Sequence, residues 1–577
     1  MADPKEKKES KVEVAKGQSK HLRGTLAETL ASDTTHFGKD DIQLLKFHGI
    51  YQQDDRDVRH ERRKAKQEEA YQFMIRCAIP GGVLTAEQYL NLDEIADEYA
   101  NGSLRATTRQ GFQFHGVLKK DLKATLAKIN QKLITTLSAC GDVERNVMAC
   151  PAPLPDEEHA LLRKVARTIA EKLRPATGAY HEIWLDGEKQ VSTQDEEPFY
   201  GDRYLPRKFK TGIALSYDNC VDVYTHDLGF VAVVDQARLI GFNVLVGGGL
   251  GMTHGKADTF GQMAEPLGFI APEHAVETAR TVAGIFRDFG NRADRRHARL
   301  KYVVAERGIE WMREEFRGRV DFELADWRPT PRASCGDHLG LHPQDNGTKF
   351  YGVYIENGRI VDRDSHRIRT ALRDFIRAHR PGVTITPHQN ILLTGLDEAA
   401  AEQVERTLTD HGVTPPAQLS GARRYSMACP ALPTCGLAMS ESERVMPSVV
   451  DRFEKELEAL GVKDEPIAIR MTGCPNGCAR PYTADIALVG RRVDVYQVYV
   501  GGGLHGDNVT DLYAADVATD DIIPTLRPLL ASWAKHRNPG EPLGDYYRRT
   551  LARDEPRRRV TGKENPTKDE FEAKLPS

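Results

Sequence analysis

Four cysteines crowd together late in the chain, as Cys429-x5-Cys435 and, after a gap of 38 residues, Cys474-x3-Cys478. Four thiolates can hold either a [4Fe-4S] cubane or a tetrahedral zinc ion. Structural zinc sites usually leave roughly two to four residues between paired ligands, so the x5 interval suits zinc poorly. Pro430, Gly436 and the run Gly473-Cys474-Pro475-Asn476-Gly477-Cys478 would let backbone amides turn toward inorganic sulfide, which tunes a cluster's potential. Nine cysteines in 577 residues are too sparse for a disulfide scaffold, so the crowding of four points to metal or redox chemistry. The other five, Cys77, Cys140, Cys150, Cys220 and Cys335, are scattered and read as small apolar packing residues.

Cations form the second chemical group: Arg76, Arg105, Arg109, Arg145 and the run Arg207-Lys208-Phe209-Lys210, all in the first half. On a strand, alternation puts Lys208 and Lys210 on one face and Phe209 on the other. Two ammonium groups on one face repel unless an anion sits between them; the alternative is a solvated strand face. Lysine can also give up a proton, whereas arginine stays charged and clamps. Arg105 and Arg109 would share a face if helical, but the threonines around them favour strand and turn.

Composition narrows the setting. Hydrophobic residues make up 40% and charged residues 28%, with no apolar run of membrane-spanning length. The charged start lacks the apolar stretch of a secretory signal, so a cytoplasmic protein is expected. A net charge of -4 gives no global attraction for nucleic acid or anionic membranes, and anion binding must come from local clusters.

The elements that position these residues repeat. Arg145-x-x-Met148-Ala149-Cys150-Pro151-Ala152 recurs as Arg424-x-x-Met427-Ala428-Cys429-Pro430-Ala431, an offset of 424 − 145 = 279 that also relates Thr107 to Thr386, Gln110 to Gln389 and Gly116 to Gly395. Further on, Val246-Gly247-Gly248-Gly249-Leu250 is matched by Val500-Gly501-Gly502-Gly503-Leu504. Each half opens with a strand (73–79; 350–355), a turn, a helix (86–99; 365–378), a strand and a second helix (122–133; 398–409), a grammar of α+β layers. The halves are read as a duplication, with the first units paired and the second units as lobes around a shared cleft. The expected divisions are a disordered tail (1–20), an N-terminal arm (21–65), a first half-repeat (66–140) and lobe (141–340), a second half-repeat (341–422) and lobe (423–552), and a C-terminal tail (553–577).

These residues together resemble the siroheme sulfite and nitrite reductase family, in particular the hemoprotein subunits of assimilatory NADPH-dependent sulfite reductases. The resemblance runs from His21 to about Ala552 and is carried by His48-Gly49-Ile50-Tyr51-Gln52-Gln53-Asp54-Asp55-Arg56-Asp57, Thr108-Arg109-Gln110-Gly111-Phe112-Gln113-Phe114-His115-Gly116, Leu205-Pro206-Arg207-Lys208-Phe209-Lys210 and the cysteine pairs. It implies ferredoxin-like paired half-domains and two larger α/β lobes around a central site. It also implies a [4Fe-4S] cluster on Cys429, Cys435, Cys474 and Cys478, with Cys478 shared with the siroheme iron. Arg76, Arg145, Lys208 and Lys210 match the anion-binding set, and Arg105, Arg109, Gln113 and Arg207 match siroheme-contacting positions. Ala78 departs from the arginine common among relatives. Sulfite is the implied substrate and nitrite the alternative. The sequence shows no flavin domain or NADPH site, so an FAD/FMN flavoprotein subunit is the expected electron donor, with ferredoxin as alternative. Gly501-x-Gly503-x-x-Gly506 mimics a dinucleotide fingerprint but lacks a compact βαβ context; close backbone approach is the expected role of both triple-glycine loops. His115 and His505 are expected to be structural.

Overall fold

The computed structural model describes residues 9–575 except 155–156, 186–196, 237, 345–346 and 554, and the backbone alone at 157. Two five-stranded sheets form its centre. One runs Ile50–Asp54, Tyr71–Arg76, Phe112–Val117, Leu104–Ala106, Arg359–Ile360; the other runs Gly340–Pro343, Lys349–Val353, Ile391–Leu396, Gly382–Ile385, Val83–Leu84. The last strand of each sheet comes from the other half, so the half-domains exchange a two-residue strand. Each exchanged strand follows a one-turn helix ending in a glycine with positive φ, Gly82 and Gly358. A Cβ there would sit 2.3 Å from the Ile385 carbonyl or 2.2 Å from that of Ala106, so the crossing requires glycine at both points.

Helices cover these sheets where the sequence places them: Ala86–Glu98, Leu122–Asn130, Ile368–His379 and Glu398–Asp410. The first starts with a reciprocal capping box, Thr85 Oγ1 accepting from Gln88 N and Gln88 Oε1 from Thr85 N. The expected β-turn-α-β-α units are present, with ends shifted by up to three residues.

The two lobes have one topology. The first orders its strands Met148–Ala149, Thr211–Leu215, Leu228–Asp235, Arg238–Val246, Glu265–Ile270; the second orders Met427–Ala428, Ile469–Thr472, Ile486–Arg492, Val495–Val500, Asp511–Ala518. In both, the first three strands are parallel and the last two join antiparallel. Leu228–Asp235 is buried along its first six residues, as expected for a strand covered on both faces. Helices Glu157–Lys172 and Ala275–Phe289 in the first lobe correspond to Met446–Ala459 and Ile522–His536 in the second.

The ends differ from expectation. Residues 1–8 lie outside the described residues, but Lys11–Gly17 is a helix whose buried Lys16 donates to Leu205 O and pairs with Glu13 and Asp142. At the C-terminal end, Arg559–Thr561 pairs with Phe260–Gln262 and Phe571 is buried. Few large apolar residues suffice at either end because existing surface receives them. No helix among the described residues is long and apolar enough to cross a membrane.

Candidate active site and metal centre

One device sets the tip of each lobe. Thr107 Oγ1 accepts from Gly111 N, and Gln110, in the left-handed region at φ 53°, exchanges two hydrogen bonds with the backbone of Ala149 (2.9 and 3.0 Å). In the second half Thr386 Oγ1 accepts from Asn390 N, and Gln389, at φ 68°, clamps Ala428 in the same way (3.1 and 3.3 Å). Cys150 and Cys429 therefore leave equivalent strand ends. Two further equivalent residues, Asp222 and Arg480, both at φ 52°, pair across the halves at 2.5 Å, and Arg470 joins Asp222 at 2.7 Å. The axis relating the lobes is thus held by a buried ion triad.

The second tip gathers the four thiols. Cys429 and Cys474 are buried, Cys435 is partly buried and Cys478 is exposed. Gly473 N points at Cys429 Sγ (3.4 Å) and Asn476 Nδ2 at Cys474 Sγ (3.5 Å). Burial and then the neighbouring Cys478 push Cys429, Cys435 and Cys474 upward, Cys474 to about 12. Thiols that disfavour one another's ionisation need a cation among them to become thiolates, as iron provides.

The first lobe supplies the cations. Phe209 N donates to Val143 O and Arg145 N to Phe209 O, so residues 208–210 lie along Val143–Arg145. Phe209 is fully buried against Phe286, while Lys208 and Lys210 stay partly exposed, the alternation expected of a strand. Neither ammonium group has a hydrogen-bond or ion-pair partner among the described residues. Burial, then Lys210, Arg145 and Arg207, hold Lys208 well below its usual value; burial, then Arg109, Arg299 and Arg145, do so for Lys210. Arg76 donates to Cys140 Sγ (3.0 Å), and Gln113, with its carboxamide oxygen turned inward, accepts from Arg76 (2.5 and 2.9 Å). Arg145 Nε donates to Gly141 O (3.1 Å); burial opposes its charge, but Tyr51, Cys140 and Asp142 more than offset that.

The two groups meet. Thr108 Oγ1 donates to Cys478 O (3.0 Å), Arg480 donates to Thr108 O (2.7 Å), and the adjoining Arg109 binds Asn146 O and His226 Nδ1. Desolvation lowers Arg109, which is partly buried, to about 9, and Arg207, partly exposed and 3.9 Å from Asp142, falls to about 10 for the same reason. Arg105 is largely engaged within the protein. Its Nε bonds Glu443 at 2.8 Å and its Nη2 the carbonyls of Ala428 and Asn357, leaving Nη1 alone for an outside ligand. Its principal contacts hold the Cys429 strand.

Sequence reading missed Lys46, which stands 5.9 Å above the Tyr51 ring and is lowered to about 8 by burial and then by Arg295, against Asp142. It also missed Glu144, which burial raises to about 8 while Thr211 donates to it (2.7 Å) and Arg109 opposes the rise. Tyr51 lay inside a quoted motif; nothing marked Lys46. The packing reading of scattered cysteines holds for Cys77, Cys150, Cys220 and Cys335, which all sit in the apolar core, but it missed that Cys150 and Cys220 also share a polar cluster with Asp218 and His338. His115 is buried with both ring nitrogens unpartnered, and burial keeps it neutral; His505 binds Ala333 O. The amides of Gly501, Gly502 and Gly503 bond Asp485, Ala484 and Thr483, which leaves none of these three for a pyrophosphate. Gly248 and Gly502 each approach backbone carbonyls so closely that a Cβ would meet them at 2.3 and 2.5 Å.

Known proteins resemble this chain in sequence and fold. The "Nitrite and sulphite reductase 4Fe-4S domain" profile matches residues 164–324 and 421–550, and the "Nitrite/Sulfite reductase ferredoxin-like half domain" profile matches 65–132 and 342–411. The sulfite reductase [NADPH] hemoprotein beta-component of Staphylococcus saprophyticus is 45% identical over 93% of this chain and 94% of its own. The chain belongs to the nitrite and sulphite reductase family. Its counterpart in Geobacillus kaustophilus, with the same name, is 46% identical over 93% of this chain and 95% of its own. Mycobacterium tuberculosis NirA has the same fold, with a TM-score of 0.72 and 24% identity over 92% of this chain and 96% of that one. As a family member the chain is an oxidoreductase carrying siroheme and a [4Fe-4S] cluster. The residues present fit both groups: four neighbouring cysteines, three of which resist ionisation without a cation, with N–H donors aimed at sulfur, and a set of cations from the first lobe whose two lysines lack anionic partners among the described residues.

Proposed function

We propose that this chain reduces sulfite to sulfide, with Cys429, Cys435, Cys474 and Cys478 holding the cluster, Cys478 shared with siroheme, and Arg76, Arg145, Lys208 and Lys210 holding the anion. What carries the reading is the meeting of uncompensated cations of one half with the thiols of the other, joined at Thr108 and Cys478. When bound, cluster and siroheme supply electrons to the oxyanion.

Converting sulfite to HS⁻ takes six electrons and seven protons and releases three waters. The protein must therefore hold an anion and deliver protons repeatedly. Arg76 and Arg145, each fixed by neighbours, clamp oxygen atoms; their charge also stabilises negative charge developing there in a low-dielectric pocket. Lys208 and Lys210 act as proton donors, because depressed basicity makes an ammonium group a better acid. Arg109, Gln113 and Arg207 would hold siroheme, with Arg105 able to contribute through Nη1, while the uncharged Ala78 would add no charge to that set. Nitrite, a smaller anion, suits the same cations and is the alternative substrate.

Electrons come from a separate FAD/FMN flavoprotein oxidising NADPH, or alternatively from ferredoxin, and the enzyme works in cytoplasmic sulfate assimilation. The test compares wild type with Lys208→Met and Lys210→Met, using a reduced dye and then NADPH with the flavoprotein. Sulfide formation should collapse in both variants while the siroheme spectrum persists; near-normal turnover would remove the lysines from the mechanism.

A further inference from the structure

The first lobe has its own cysteine constellation, away from the four cluster thiols. Cys150 Sγ, Cys220 Sγ, one Asp218 oxygen and one His338 ring nitrogen all lie within 4.8 Å of one another. Cys150 and Cys220 are fully buried, and Asp218 and His338 nearly so. His338 Nε2 is 3.2 Å from Asp218 Oδ2 and 3.8 Å from Cys150 Sγ, and that sulfur is 3.6 Å from the same oxygen. A tetrahedral zinc ion, with bonds of about 2.0–2.3 Å, sets its ligand atoms about 3.3–3.8 Å apart. The three separations among Cys150, Asp218 and His338 match edges of such a tetrahedron, and Cys220 Sγ lies within 4.8 Å of all three.

The surroundings are also those of a metal site. Asp218 Oδ1 accepts from Cys220 N (3.0 Å) and Gly336 N (3.2 Å), which fixes the carboxylate and leaves Oδ2 toward the other ligands. Residue 336 is glycine where a Cβ would lie 2.8 Å from the His338 ring, so the loop closes tightly on the cluster. The place in the fold adds an independent argument. Cys150 is the equivalent of Cys429, and Cys220 that of Cys478, an offset of 478 − 220 = 258 that also relates Asp222 to Arg480. By the same sequence offsets Cys474 matches Ser216 and Cys435 matches Asp156, so the first half has two of the four thiols. Two thiols are too few for a cubane of the four-cysteine kind, and the shorter separations suit one ion.

We propose that Cys150, Asp218, Cys220 and His338 bind a single divalent metal ion, with Zn²⁺ as the best match of ligand softness and number. The site ties the first lobe to the segment joining the halves: Asn219 N bonds Ser334 O, Tyr425 OH bonds Cys335 O, and Arg424 pairs with Asp337. It is a structural staple with no open ligand position.

The test uses holoprotein with its cluster in place. Elemental analysis should find about one zinc per chain in addition to iron. After mild chelation, added Co²⁺ should give the intense visible and thiolate charge-transfer bands of a tetrahedral Cys₂ site, displaced by Zn²⁺. Cys150→Ser and His338→Gln should abolish zinc uptake and those bands while iron, sulfide and siroheme absorption stay unchanged. Absence of zinc together with failure of the wild type to take up cobalt in this form would overturn the proposal. So would a Cys150–Cys220 disulfide in the freshly isolated protein, or full zinc retention in both variants. The wild-type measurements decide the matter even if a variant fails to fold.

Discussion

The tips of the two lobes share one backbone and carry different chemistry. Arg145 lines the cation cleft, whereas its equivalent Arg424 forms an ion pair with Asp337 at 2.6 Å. Lys208 and Lys210 have Pro466 and Ala468 at the matching positions, while the thiols of Cys435 and Cys474 face Asp156 and Ser216 in the sequence. The second copy carries the four sulfur ligands and the first carries the ammonium groups. A duplicated fold makes this division cheap: equivalent strand ends are already placed face to face, so each can change its side chains without moving the other. The triad Asp222, Arg470 and Arg480 preserves that alignment.

The sharpest way to break the comparison is to remove one thiol from each tip. Cys474→Ser should lose the cluster, siroheme absorption and sulfite turnover down to background, whereas Cys220→Ser should keep all three; iron, sulfide and visible spectra decide. Next in size, Lys210→Met should lower kcat/KM for sulfite by about 10²–10³-fold with the spectrum retained. Arg424→Met should leave turnover near normal and cost about 1 kcal/mol or less, since its ion pair is partly exposed.

Breaking the axis tests the alignment itself. Asp222→Ala leaves two buried guanidinium groups unpaired and should destabilise the protein by about 3–5 kcal/mol in denaturant unfolding.

A pH dependence is expected as well. Lys46, at about 8, loses its positive charge as pH rises through that value, and Glu144, also about 8, gains a negative one. Both changes reduce the cleft's positive charge, so anion affinity should fall above pH 8. Nitrite is already ionised in this range, and its KM should rise about 3–10-fold between pH 7 and 9. Glu144→Gln should flatten part of that rise; a wild-type KM independent of pH would exclude both groups.

Much of this was legible in the sequence because it is local or periodic. The cysteine spacing, the 208–210 alternation and the duplicated octamer each need only neighbours along the chain. The strand exchange was not, since Val83–Leu84 and Arg359–Ile360 are two residues long and take meaning only from their distant partners. The engagement of Arg105 with Glu443, which it shares with Arg359, was not legible either, since both partners lie far away in the sequence. The Cys150 and Cys220 cluster was read as packing because Asp218 aside, its members converge only through the fold.

The most direct test of the division of labour is the yield of sulfide from sulfite with a reduced viologen dye, measured for the purified holoprotein alongside Lys208→Met and Lys210→Met. The account predicts one sulfide per six electrons in the wild type, and in both variants a collapse of that flux with cluster and siroheme intact. Wild-type protein that carries both cofactors yet forms no sulfide, or variants that form it at the wild-type rate, would contradict it.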